Sequence, residues 1–152
     1  MSNIIIIPGK GSGGFKLGTK FSKIGLKQAD ILSTKERGIL LVYKTEQIWF
    51  FVNRNSDEVE QLSFMNGYEG KVLGKIGIGD SLNCVIQELG KCTIDNKVHE
   101  PLEHPGVTFE TENGSKAKSA KIEVISVMKP YQFLGELPEH ILRNLGGNRK
   151  LP

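Results

Sequence analysis

Phe15-Lys16-Leu17-Gly18-Thr19-Lys20-Phe21-Ser22-Lys23-Ile24 lines up with Ile76-Gly77-Ile78-Gly79-Asp80-Ser81-Leu82-Asn83-Cys84-Val85 at an offset of 61 residues. A second stretch, Val59-Glu60-Gln61-Leu62-Ser63-Phe64-Met65, lines up with Ile122-Glu123-Val124-Ile125-Ser126-Val127-Met128 at an offset of 63. Between them, Gly38-Ile39-Leu40-Leu41 is matched to Gly106-Val107-Thr108-Phe109. Two copies of one supersecondary unit are the expectation. A glycine loop that recurs in such a frame is a structural turn before it is a catalytic loop.

Working outward, each copy is read as a helix followed by an antiparallel sheet. Gly38 to Tyr43, Gln47 to Asn53 and Val59 to Met65 are rich in β-branched and aromatic residues and form a three-stranded meander. In the second copy Leu82, Val85, Ile86 and Leu89 fall at i, i+3, i+4 and i+7 behind Asp80 or Ser81 as N-cap, with Gly90 closing the helix. The matching first helix, capped by Thr19, is interrupted by Gly25. Cys92 to Val98, Gly106 to Glu112 and Lys121 to Met128 are read as the second set of strands, and Pro138 to Leu145 as a short tail helix. The expected fold class is α+β: two tandem helix-plus-antiparallel-sheet units packed as one domain over residues 1–152. The repeat halves run from about 9 to 70 and from 71 to 130, with a tail from 131 to 152.

The bulk numbers agree with a globular chain. The 152 residues are 38% hydrophobic and 24% charged, with a formal net charge of +3. The first 30 residues carry +4 and residues 36–69 carry −3. Ile4 to Ile7 is too short for a signal-peptide core and ends at Pro8, no run reaches membrane-spanning length, and the two cysteines form no disulfide framework. A cytoplasmic location without membrane association is expected.

Chemistry-bearing patterns are sparse. Gly9-Lys10-Gly11-Ser12-Gly13-Gly14 satisfies G-x-G-x-x-G after an apolar strand, but Phe15-Lys16-Leu17-Gly18 follows where a long helix would have to begin. An anion cradle built from this loop with Lys10 and Lys16 is the alternative function: a small-ligand or nucleotide-binding domain. His99-Glu100-Pro101-Leu102-Glu103-His104 has no standard metal spacing and reads as a polar surface loop. Cys84 reads as a small packed residue. No cofactor, metal or catalytic residue is assigned. Trp49, Phe50 and Phe51 are consecutive and so address both faces of their strand. The turns flanking them are acidic, which argues against nucleic acid.

Gly-Ile-Gly-Asp-Ser-Leu-x-x-Val-Ile-x-x-Leu-Gly, residues 77–90, resembles the helix signature of the β-lactamase-inhibitor-like fold. That fold pairs a short helical segment with an antiparallel sheet, and tandem copies occur in secreted β-lactamase inhibitor proteins. In its size, its N-terminal strand with a glycine loop, its repeated sheet and its lack of catalytic motifs, the chain is also similar to cytoplasmic immunity proteins of contact-dependent growth-inhibition and polymorphic toxin systems. The resemblance implies a non-enzymatic immunity or inhibitor protein that binds a cognate bacterial toxin, such as a nuclease. It would act by blocking the toxin's active site or by strand addition. The net charge does not itself support a nuclease target. Trp49, Phe51, Asp57, Glu58 and Glu60 are the expected contact residues. The oligomeric state is left open.

Overall fold

Ser63 and Ser126 stand directly opposite each other on neighbouring antiparallel strands, with their hydroxyls 2.7 Å apart and buried. They are also equivalents at the 63-residue offset. A residue that pairs with its own counterpart marks a local two-fold axis, and the flanking pairs, Leu62 with Val127 and Phe64 with Ile125, exchange under it. The computed structural model that shows this describes residues 4–130.

The strands in chain order are β1 (Ile5–Ile7), β2 (Gly11–Ser12), β3 (Phe15–Lys16), β4 (Ser33–Arg37), β5 (Leu40–Lys44), β6 (Ile48–Asn53), β7 (Val59–Phe64), β8 (Lys71–Val72), β9 (Cys92–Asp95), β10 (Val98–Pro101), β11 (Val107–Thr111) and β12 (Ile122–Met128). One α-helix, α1 (Leu82–Leu89), lies between β8 and β9. The main sheet is antiparallel in the order β4-β5-β6-β7-β12-β11-β10-β9, so two four-stranded meanders meet at the β7–β12 seam. A smaller sheet, β3-β2-β1-β8, lies beside it.

The two-fold relation extends beyond the seam. Gly18 N–H donates to Val59 O and Gly79 N–H to Ile122 O. Val59 N–H donates to Thr19 O and Ile122 N–H to Asp80 O. Phe21 N–H donates to Asp57 O and Leu82 N–H to Ala120 O. The register slips between Phe51 and Val52 on β6, and again between Glu110 and Thr111 on β11. These bulges twist both hairpins alike. By the same pairing, Phe50 corresponds to Phe109 and Trp49 to Thr108.

The core lies between the main sheet, α1 and the small sheet. Phe50, Leu62, Phe64, Phe109, Ile125 and Val127 are fully buried on one sheet face, and Val85 and Leu89 reach them from α1. Ile6 and Val72 close it from the small sheet.

The fold is mostly β, which corrects the expected α+β class with two tandem helix-plus-antiparallel-sheet units. Only the second unit has an α-helix. Its first-unit counterpart is a pair of single 3₁₀ turns, Phe21–Lys23 and Gln28–Asp30. At the 61-residue offset the helix's apolar positions Leu82, Val85, Ile86 and Leu89 become Phe21, Ile24, Gly25 and Gln28. Half of the apolar stripe is lost, and Gly25 sits at φ +78°, outside any right-handed helix. The cap is lost too. Ser81 Oγ accepts from Cys84 N–H, whereas Lys20 at the matching position makes no side-chain cap bond.

Two further elements depart from expectation. The stretch read as one strand from Cys92 to Val98 is a hairpin of β9 and β10, turned at Asn96 and Lys97 with φ of +51° and +69°. Gly38 precedes the second strand of its meander and Gly106 the third, so these two glycines are not structural counterparts. The tail helix read over Pro138 to Leu145 lies outside the described residues.

Candidate functional site

The main sheet has its second face turned away from the core. Antiparallel partners directly opposite share a face, so the pairings assign its residues: Lys35–Val42–Phe51–Gln61–Met128 form one row and Lys44–Trp49–Ser63–Ser126–Thr108 the next. Across this open face runs a depression of about 670 Å³. Leu40, Trp49, Phe51, Met65 and Val124 give it an apolar floor, Gln61 and Ser63 add polar groups, and Arg37 and Glu110 stand in its walls.

Trp49 is held by its strand position and by Lys44, whose Nζ lies 4.1 Å from the ring centroid. Phe51 is 7% exposed and supports the floor from below. Gln61 Nε2 donates to Ser63 Oγ at 3.2 Å, which fixes the polar strip beside them. Burial raises the Glu110 carboxyl above the usual carboxylate range. Neither Arg37 nor Glu110 makes an ion pair among the described residues.

The residues expected to make contact divide. Trp49 and Phe51 share the depression. Asp57 belongs to the β6–β7 turn, at φ +61°, and its carboxylate accepts from Ser22 Oγ at 2.7 Å and from Ser22 N–H at 3.1 Å. Those hydrogen bonds, first the hydroxyl and then the amide, hold its carboxyl below the ordinary value. Asp57 therefore braces the first 3₁₀ turn. Glu58 occupies the same turn, bridged through its backbone to Lys20. Glu60 is exposed at the bulge, with Asn53 Nδ2 donating to it at 3.5 Å. Arg37, Leu40, Gln61, Ser63, Met65, Glu110 and Val124 complete the depression and were not expected.

The glycine loop is built into the small sheet. Gly11–Ser12 is β2, Gly9 N–H donates to Gly106 O and Lys10 N–H to Ile7 O. A Cβ on Gly11 would lie 2.1 Å from Phe15 O, so close backbone approach accounts for that glycine. Ser12 and Tyr68 share a buried hydrogen bond of 2.9 Å. The amides of Gly9 and Lys10 are thus already satisfied within the fold.

His99 is the opposite of a surface-loop residue. It is 1% exposed on β10, facing the core, and its Nε2 has no hydrogen-bond partner. Burial first, and then Lys116, push its pKa down. The Cys92 thiol is pushed up to about 11 by burial and by Glu100, the reverse of an activated nucleophile. Among the described residues, no three His, Cys, Asp or Glu side chains are grouped to hold a metal ion. No helix among them is long and apolar enough to cross a membrane.

No protein-family model matches the chain, and no curated protein or solved structure matches it significantly.

Proposed function

We propose that this chain is a non-enzymatic binding protein of the inhibitor or immunity type, and that it receives a protein toxin on the open face of its main sheet. One observation carries the reading: Trp49, Leu40, Met65 and Val124, each partly exposed, line one depression on the sheet face turned away from the core. Apolar and aromatic side chains gathered in a depression between charged walls have the anatomy of a protein-binding hot spot. The chemistry elsewhere supports it. His99 lies in the core with Nε2 unpartnered, the Cys92 thiol is held protonated, and the glycine loop is a hairpin. Occlusion by the sheet face needs only rigidity and a few anchors.

The test is co-expression with the product of the neighbouring gene, followed by pull-down and mass determination, with growth rescue as the functional readout. A tight complex that rescues growth and is lost in Trp49→Ala is expected. A chain that stays alone and rescues nothing contradicts the reading.

A further inference from the structure

The open face is electrically divided, and the local two-fold axis makes the division plain. Strand pairing places Lys35, Arg37 and Lys44 on this face from β4 and β5. It places Asp95, Glu100 and Glu110 on the same face from β9, β10 and β11. Backbones related by the axis therefore carry opposite charges, and Phe51 in the first meander has Glu110 as its counterpart in the second. The depression runs from one pole to the other, from Arg37 on β4 to Glu110 on β11. Five strand spacings separate those strands, roughly 24 Å.

Among the described residues Arg37 and Glu110, at the two ends of the depression, make no ion pair. Glu110 is half-buried, a position that a carboxylate occupies at a cost unless a cation meets it. A uniformly acidic ligand would leave Glu110 unmatched, and a uniformly basic one would oppose Arg37 and Lys35. A second copy of this chain laid face to face would match the charges, but two facing depressions would enclose a void where interfaces pack densely.

We propose that the depression binds one protruding segment of a partner protein whose charges are ordered: carboxylate toward Arg37 and Lys35, an apolar or aromatic side chain on Trp49 and Val124, and a lysine or arginine toward Glu110. This rests on the reading of the open face as a protein-binding site and adds the chemistry of what docks there. The charge order fixes the direction in which the segment lies.

The experiment is selection from a displayed library of random loops of roughly eight residues, enough to span the depression when extended. Selected loops are then measured by calorimetry against wild type, Arg37→Glu, Glu110→Lys, the double exchange, Trp49→Ala and the remote control Lys118→Glu, each checked for folding by circular dichroism. The expected winners carry acidic residues at one end, basic residues at the other and an apolar centre. They weaken roughly tenfold on each single charge reversal, recover on the double exchange by binding in the opposite direction, and ignore Lys118→Glu. Selection on Glu110→Lys yields uniformly acidic loops. Winners that need Trp49 but show no charge order overturn the charge-ordered segment and leave the site standing. No winners, or winners indifferent to Trp49→Ala, overturn both.

Discussion

The first and second meanders follow one backbone path with different side chains. Both make the same three hydrogen bonds between the segment before the meander and the start of its last strand with the turn leading into it, both bulge at the same place, and both bury a phenylalanine, Phe50 or Phe109, at the same point. Yet one unit carries a helix and the other two single turns. The repeated unit is thus defined by its backbone hydrogen bonds and its bulge, while the covering segment follows the local apolar stripe. On the second face the middle of the sheet is packed, with Val42, Phe51, Ser63 and Ser126 buried, and the same freedom operates toward its two ends. There the units diverge into a cationic aromatic half and an anionic half.

The comparison can be broken most forcefully in the core. Phe50→Ala and Phe109→Ala remove equivalent, fully buried rings and are each expected to cost about 3–5 kcal/mol, read from urea unfolding. Because the halves share the β7–β12 seam, every variant should unfold in one transition. Two resolved transitions would show that the halves are separate folding units.

At the axis itself, Ser63→Ala takes the bond away from the buried Ser126 hydroxyl and is expected to cost about 1–3 kcal/mol, while Ser126→Ala leaves Ser63 Oγ still accepting from Gln61 Nε2 and should cost less. The double alanine should cost less than the sum, because both polar groups are then gone. Additive losses would mean that the two hydroxyls do not depend on each other. Between the covering segments, Ser81→Ala should lose about 1 kcal/mol with the helix cap, while Lys20→Ala at the matching position should stay within about 0.5 kcal/mol. Equal effects on thermal melting would erase the contrast between helix and turns.

A pH difference is expected at a third pair of counterparts. His99 lies opposite Phe109 as Tyr43 lies opposite Phe50. Tyr43 stacks on Phe21 with ring centroids 4.1 Å apart, whereas His99 is buried to 1%. The folded-state pKa of His99 is lowered, so the unfolded chain takes up its proton first. Its contribution is therefore complete above the unfolded value, about 6.5, and is lost as pH falls through that value toward the folded one. His99→Phe should flatten the melting temperature over this window, and an unchanged pH profile would remove His99 as its source.

Glu110 works in the other sense. Its folded-state pKa is raised, so its ionisation disfavours the folded state as pH rises through the ordinary glutamate value, about 4.3. Glu110→Gln should slightly raise the neutral-pH melting temperature, and a lower one would count against a carboxylate held there for binding.

What was legible in the sequence follows from where side chains point. The strands β5, β6, β7 and β12 and the helix α1 each bury an apolar pattern, and the pattern is visible as a period. Strand β4 is exposed at every residue, Ser-Thr-Lys-Glu-Arg, so nothing in its composition announces a strand. The β9–β10 turn uses Asn96-Lys97 in place of a glycine-bearing pair and was hidden inside one apparent strand. Trp49 and Phe51, which line the depression, stand out in the sequence because three consecutive aromatics must divide between two faces. Arg37, Glu110 and Val124 do not, because only the register across six strands brings them to one depression. The bracing role of Asp57 was hidden for a related reason: an acidic turn residue looks the same in sequence whether or not it ties down a neighbour such as Ser22.

The most direct measurement is the affinity of the neighbour-encoded protein for wild type, Trp49→Ala and Asp57→Ala, with melting curves recorded alongside. The open-face account predicts that Trp49→Ala weakens binding by about 2 kcal/mol or more, roughly thirtyfold, with its melting curve little changed. Asp57→Ala should alter stability and leave affinity nearly intact. Full binding by Trp49→Ala, or its loss in Asp57→Ala at unchanged stability, would move the site off the open face and contradict the account.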